Sequence, residues 1–121
     1  MVRQLKQGEG WQLGWDAEAE VFCGLVGGAG WAIELTEPEL EDFCRLIVQL
    51  AETLRQMGKE LMDEERVSCE VESDRLWLEA EGFPQFYSLR LLLLTGRRAE
   101  GAWSEVAVAE LTQAAQMLKV F

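Results

Sequence analysis

Residues 31–47 read WAIELTEPELEDFCRLI, and they decide the fold. Trp31 to Leu35 is a short, apolar-rich strand. Thr36 is then a helix N-cap and Glu39 its capping-box partner, since a Thr side chain and a Glu three residues later can each satisfy a backbone N–H at the helix start. Pro38 falls in the first turn, where its missing N–H is tolerated. Apolar residues recur at Leu40, Phe43, Cys44, Ile47, Leu50, Ala51, Leu54 and Met57. That i, i+3, i+4, i+7 spacing predicts an amphipathic helix ending near Gly58, with KELMDEE (59–65) able to add a turn. Glu41 and Arg45 are placed for an i,i+4 pair on the wet side. The unit is therefore strand, cap, helix.

The flanking sequence supplies strands. WQLGWD (11–16) alternates Trp11, Leu13 and Trp15 on one face. An acidic connection leads to a second strand ending in the Gly27-Gly28-Ala29-Gly30 turn, which folds back into Trp31. Beyond the helix, Arg66 to Val71 and Arg75 to Glu81 both alternate, separated by a Ser73-Asp74 turn. A break at Gly82-Phe83-Pro84 precedes a strand at Phe86 to Leu94, whose consecutive leucines predict cover on both faces. TGRRAEG (95–101) turns that strand into another at Ala102 to Val106. A final helix is expected from about Val108 to Lys119, with Lys119 favourably placed against the helix dipole.

The order of elements repeats. A shift of 71 residues lays Glu34, Leu35, Glu39 and Leu40 on Glu105, Val106, Glu110 and Leu111, and Phe43, Cys44 and Ile47 on Ala114, Ala115 and Leu118. The chain reads as one α+β domain over residues 1–121. Its pseudo-repeated halves, about 11–58 and 66–120, are each an antiparallel sheet followed by an amphipathic helix.

Composition narrows the function classes. The 121 residues suit one core, and 22 acidic against 11 basic residues give a net charge of -11. Such a balance opposes phosphate and anionic-lipid binding, and favours a basic partner. No apolar run approaches the length of a membrane span. MVRQLKQGEG has no apolar core of a secretory signal, so cytoplasmic localisation is expected. Cys23, Cys44 and Cys69 are widely spaced, lack C-x-x-C geometry, and read as reduced, buried thiols.

With no histidine, His-based acid–base chemistry and Ser-His triads are excluded. GLVGGAG (24–30) lacks the Lys-Ser/Thr ending of a phosphate loop. Asp63-Glu64-Glu65 lacks calcium-loop spacing and reads as a solvated charge run. Trp11, Trp15, Trp31 and Trp103 could line a ligand pocket, but packing in the core or between the halves is the better reading, since each ring buries a large area. No catalytic, metal or cofactor site is assigned.

Two surface features remain. Residues 60–81 carry nine acidic side chains against Arg66 and Arg75. Period-2 counting puts Glu70, Glu72, Trp77, Glu79 and Glu81 on one outward strand face, a candidate protein-docking patch with an aromatic at its centre. The plainer, preferred reading is a soluble sheet face with Trp77 lying under a loop or the other half. Arg97-Arg98, the only adjacent basic pair, forms with Arg90 the alternative, a nucleic-acid contact. A solvated hairpin tip is the preferred reading of the pair, with Gly96 and Gly101 supplying backbone freedom and Glu100 partly cancelling the charge.

The segments GEGWQLGWD, GLVGG, WAIELTEPELEDFCRLI, QLAETL, ELMDEE and GRRAEGAW together resemble an uncharacterised cyanobacterial family of small proteins, over nearly the whole chain. That resemblance implies a fold similar to the Whirly single-stranded-DNA-binding type, a fused version of a dimeric coactivator module. It implies no reaction. Whirly proteins carry a lysine-containing KGKAAL-like strand motif at their nucleic-acid surface, and no such segment occurs here. The reading is a non-catalytic protein-interaction module using the acidic strand surface. The alternatives are single-stranded nucleic-acid binding by fold analogy, and a small-ligand binder or enzyme with a site the sequence does not reveal.

Overall fold

The computed structural model describes residues 3–61 and 65–118. Strands β1 (Arg3–Gly8), β2 (Trp11–Asp16), β3 (Gly24–Gly28) and β4 (Trp31–Leu35) form one antiparallel sheet in sequential order, followed by helix α1 (Glu37–Gly58). Strands β5 (Val67–Glu72), β6 (Leu76–Phe83), β7 (Phe86–Leu93) and β8 (Ala99–Trp103) form the second sheet in the same order, followed by α2 (Glu105–Met117). The α+β class and the two similar halves are as the sequence reads.

Helix α1 begins as its capping box dictates. The Thr36 amide donates to Glu39 Oε1 at 2.9 Å, and the Glu39 amide to Thr36 Oγ1 at 3.4 Å. Its buried stripe includes Leu40, Phe43, Cys44, Ile47, Leu50 and Leu54. Arg45 pairs with Asp42 at 3.2 Å rather than with Glu41, because Asp42 is held in place by two further donors.

Each helix packs across both halves. Helix α1 meets β3 and β4 of its own sheet and β5 and β6 of the other; α2 meets β7 and β8 and also β1 and β2. Both helices therefore lie on the inner faces, and one core forms between Leu13, Val26, Phe43, Leu50, Leu78, Leu91, Trp103 and Leu111.

The indoles bind the halves together. Trp103 Nε1 donates to the Gly27 carbonyl at 2.7 Å, and Trp31 Nε1 to the Ala102 carbonyl at 3.2 Å. The Trp31 and Trp103 rings meet at 4.9 Å between centroids. Trp11 Nε1 donates to Glu110 Oε1 at 2.9 Å. A tryptophan N–H buried in packing needs such an acceptor.

Several expectations change. The first half begins at Arg3, not at residue 11, because a polar edge strand shows no apolar alternation. The second repeat unit starts three residues earlier than the shift of 71 implies. The N-caps Thr36 and Ser104 are the equivalent positions, so the last strand is Ala99–Trp103 rather than Ala102–Val106, and α2 starts at Glu105 rather than Val108. In the corrected register Leu40, Phe43, Leu46 and Ile47 match Val108, Leu111, Ala114 and Ala115, all buried. Gly82 and Phe83 complete β6, and the turn lies at Pro84-Gln85. Cys69 is half-buried rather than buried. Lys119, and Met62 to Glu64 of the possible extra turn and the acidic run, lie outside the described residues.

The clearest close approach is at Gly101, where a Cβ would fall inside the Trp31 ring, whereas a Cβ on Gly96 would meet open space. Gly101→Ala is expected to cost about 1–3 kcal/mol by overpacking. Gly96→Ala is expected to be neutral or stabilising by up to about 1 kcal/mol, since it restricts only the unfolded chain. Urea unfolding of the two variants beside the parent checks both.

Candidate interaction face of the second sheet

Antiparallel register places directly opposed residues on one face of a sheet. Glu70 opposes Glu79, which opposes Arg90, which opposes Ala102. Glu72 opposes Trp77, then Leu92, then Glu100; Ser68 opposes Glu81, then Ser88. The alternate rows, such as Cys69, Ala80, Leu89 and Trp103, face the helices. The structure thus brings Glu70, Glu72, Trp77, Glu79 and Glu81 onto one outward face.

Trp77 is half-buried on that face and lies among charges. Its Nε1 donates to Glu70 Oε2 at 3.2 Å. The Arg90 guanidinium sits 5.6 Å from the ring centroid and reaches Glu79 Oε1 at 3.5 Å. A cation over the indole face is attracted by the ring quadrupole. At the sheet's far end Arg66 pairs with Glu81 at 3.5 Å and lies over the Phe83 ring.

Sequence reasoning missed Leu92 and Glu100, which complete Trp77's row. The leucine run had predicted cover on both faces of β7. Leu89, Leu91 and Leu93 are sealed against the helices, but Leu92 is half-buried and Leu94 is 43% exposed. The reason is tertiary: both helices occupy the inner side. Leu92, Leu94, Ala99 and Glu100 line an open groove of about 400 Å³, with Arg98 on its wall. Period-2 counting from Arg90 would have placed Leu92 outward; Glu100 needed the β7–β8 register.

The three candidate nucleic-acid arginines do different jobs. Arg90 is held on the acidic face. Arg97 turns towards the first half, where its guanidinium meets Glu39 Oε1 at 2.7 Å, Glu39 Oε2 at 3.4 Å and the Glu34 carbonyl at 3.0 Å. It also stacks over Phe22, 4.5 Å from the ring centroid. Arg98 takes the positive φ (48°) of the turn rather than Gly96. The quoted basic pair is one internal tie and one turn residue.

Glu39 is 2% exposed. Burial alone would raise its carboxyl. The Arg97 hydrogen bonds, the Thr36 amide and the Arg97 charge outweigh burial, so it titrates below its ordinary value of 4.5. Asp42 behaves alike: burial opposes ionisation, while Ser73, Arg75 and Arg45 hold its carboxyl below the usual 3.8. All three thiols move away from reactivity. Burial pushes Cys44 up to about 12. Burial also raises Cys23, aided by Glu37 and Asp16, and Cys69, aided by Glu70. None has the electropositive setting that activates a thiolate.

Among the described residues no group of His, Cys, Asp and Glu could hold a metal ion, and no helix is long and apolar enough to cross a membrane. Three of the four candidate pocket tryptophans spend their indole N–H on bonds between the halves.

Comparison with known proteins agrees with this architecture. The model of DUF1818, a domain of unknown function, matches residues 6–118, so the chain belongs to that family. A crystal structure of a protein of unknown function, described as from the DUF155 family of Prochlorococcus sp. NATL2A, is similar to it. The two share 27% identity over 95% of this chain and 97% of that one, with a TM-score of 0.89. That relative is cyanobacterial, as the sequence resemblance implied. No curated protein matches the chain.

Arg97→Met strands a buried carboxylate and is expected to cost about 2 kcal/mol at pH 7, below the usual range for a sealed pair because Arg97 is 36% exposed. Because the folded Glu39 titrates below 4.5, its contribution is complete above that pH and is lost as pH falls through the folded value. Urea midpoints of parent and variant should therefore differ at pH 7 and converge as the pH falls through and below the folded Glu39 value. In a thiol-labelling time course at pH 8, Cys44 is expected to react only at the rate of unfolding, after Cys69; labelling of folded Cys44 at the rate of an exposed thiol would contradict its burial.

Proposed function

We propose that this member of the DUF1818 family is a non-catalytic interaction module that docks a basic segment of a partner protein on the outer face of its second sheet. One observation carries the reading: Trp77, half-buried at the centre of Glu70, Glu72, Glu79, Glu81 and Glu100, already holds an arginine of its own chain over its ring. Arg90 shows the chemistry the face accepts, a guanidinium shared between an indole and a carboxylate. A tryptophan in such a setting is a typical energetic anchor. The surrounding carboxylates select for positive charge and speed encounter more than they add affinity. Leu92 and Leu94 extend the anchor into an apolar groove with room for a side chain. Three free thiols with raised pKa values fit a reducing, cytoplasmic compartment.

The Whirly-type fold that the sequence resemblance implies would support a competing reading, single-stranded nucleic-acid binding through Arg90, Arg97 and Arg98. Surface chemistry weighs against it. Binding of unstructured strands uses a cationic groove with stacking aromatics, and here the aromatic stands among carboxylates while Arg97 is engaged with Glu39.

Fluorescence anisotropy separates the readings. A labelled arginine-rich nonapeptide is expected to bind, to weaken with added salt, and to lose at least tenfold affinity with Trp77→Ala, while Glu52→Gln on the α1 surface changes little. Labelled poly-dT is expected not to bind at low salt. Tight, steeply salt-dependent poly-dT binding would overturn the protein-docking reading in favour of nucleic acid.

A further inference from the structure

The two sheets end in different kinds of edge. Strand β1 closes the first sheet with Arg3 to Gly8, and register places Lys6 opposite Leu13, on the core side. A lysine turned inward on a terminal strand is a recognised guard against further pairing. Strand β5 closes the second sheet and pairs only with β6 among the described residues. Its core-side row is Val67, Cys69 and Val71, all half-buried although packed against the core. One strand further in, Leu78 and Ala80 are sealed completely. Among the described residues the apolar row is therefore only partly covered at β5, and β5 itself carries no inward charge to guard it. The other side of the same strand carries Ser68, Glu70 and Glu72, all exposed, next to Glu81, Glu79 and Trp77.

We propose that the β5 edge takes up an extended segment of the partner as a fifth strand of the second sheet. This rests on the docking reading above and specifies how the basic segment is held. An added strand pairs its backbone with β5, and its alternate side chains fall on the two faces. Those on the outer face meet Glu70 and Glu72 and must be Lys or Arg. Those on the inner face cover Val67, Cys69 and Val71 and must be apolar. The segment is therefore an alternation of basic and apolar residues, about six long to match β5. A second copy's own β1 fits poorly, because Arg3 and Lys6 lie on opposite faces of that strand.

The test uses the full chain and an acetylated, labelled Lys-Val-Lys-Val-Lys-Val peptide, with two versions N-methylated on alternate residues in the two possible frames. Strand addition predicts that the plain peptide binds, that at least one N-methylated frame loses tenfold or more in affinity, and that exchange of alternate β5 amides slows on binding. Val67→Lys, which gives β5 an inward guard, should cost at least tenfold with the circular-dichroism spectrum unchanged. Glu70→Gln, a surface change, keeps the fold and should weaken binding in a salt-dependent way. If both N-methylated peptides bind as well as the plain one while Trp77→Ala still abolishes binding, the face docks partners and strand addition is overturned. If no peptide binds, both readings fall. If the chain alone sediments as a multimer with β5 amides already protected, a second copy occupies the edge and the proposal is overturned.

Discussion

Asp42 on α1 and Glu110 on α2 are equivalent positions in the two halves, each six residues beyond its N-cap, and each reaches into the opposite half. Asp42 accepts from Ser73 Oγ at 2.7 Å and from Arg75 at 3.2 Å, in the turn joining β5 to β6. Glu110 accepts from the Trp11 indole at the start of β2. The same carboxylate position on two helices thus clasps the first hairpin of the other sheet. Trp103 with Gly27 and Arg97 with Glu39 add to this exchange. Neither half can be lifted away without leaving buried polar groups unpaired, and such groups cost far more unpaired than their bonds contribute when made.

This exchange determines where function can reside. With both helices engaged on the inner faces, their apolar stripes are consumed by the core. The outer face of the second sheet is left open, and its strands carry glutamate at alternate positions. The chain therefore presents a rigid, twisted, acidic surface with a tryptophan at its centre. Rigidity matters for recognition, because a face built on strands of a packed sheet loses little freedom when a partner docks.

The buried acids also sort the arginines. A chain with twice as many acidic as basic residues has few cations to spare, and the structure spends several internally. Arg97 neutralises Glu39, Arg75 and Arg45 neutralise Asp42, and Arg90 lies against Glu79 and Trp77. What reaches solvent on the second sheet is predominantly negative. The outer rows of that sheet set Glu70, Glu72, Glu79, Glu81 and Glu100 against Arg90, while most of the chain's net charge of -11 is carried outside residues 66–103.

Local chemistry settled a good deal before any tertiary contact was known. The Thr36–Glu39 capping box, Pro38 and the apolar stripe defined α1 to its ends, because cap bonds and helical periodicity are local. Alternation in β5 and β6 placed Glu70, Glu72, Trp77, Glu79 and Glu81 on one face, because side-chain direction in a strand has period two. Strand β1 was illegible, since an edge strand guarded by Arg, Gln and Lys has no apolar alternation. The last strand and helix were displaced by three residues, since Ser104 has no capping partner to mark it and α2 is rich in alanine. The destination of Arg97, the open flank of β7 and the unguarded edge at β5 were decided only by tertiary structure. Each depends on which element of the other half arrives alongside, and neither composition nor periodicity carries that information.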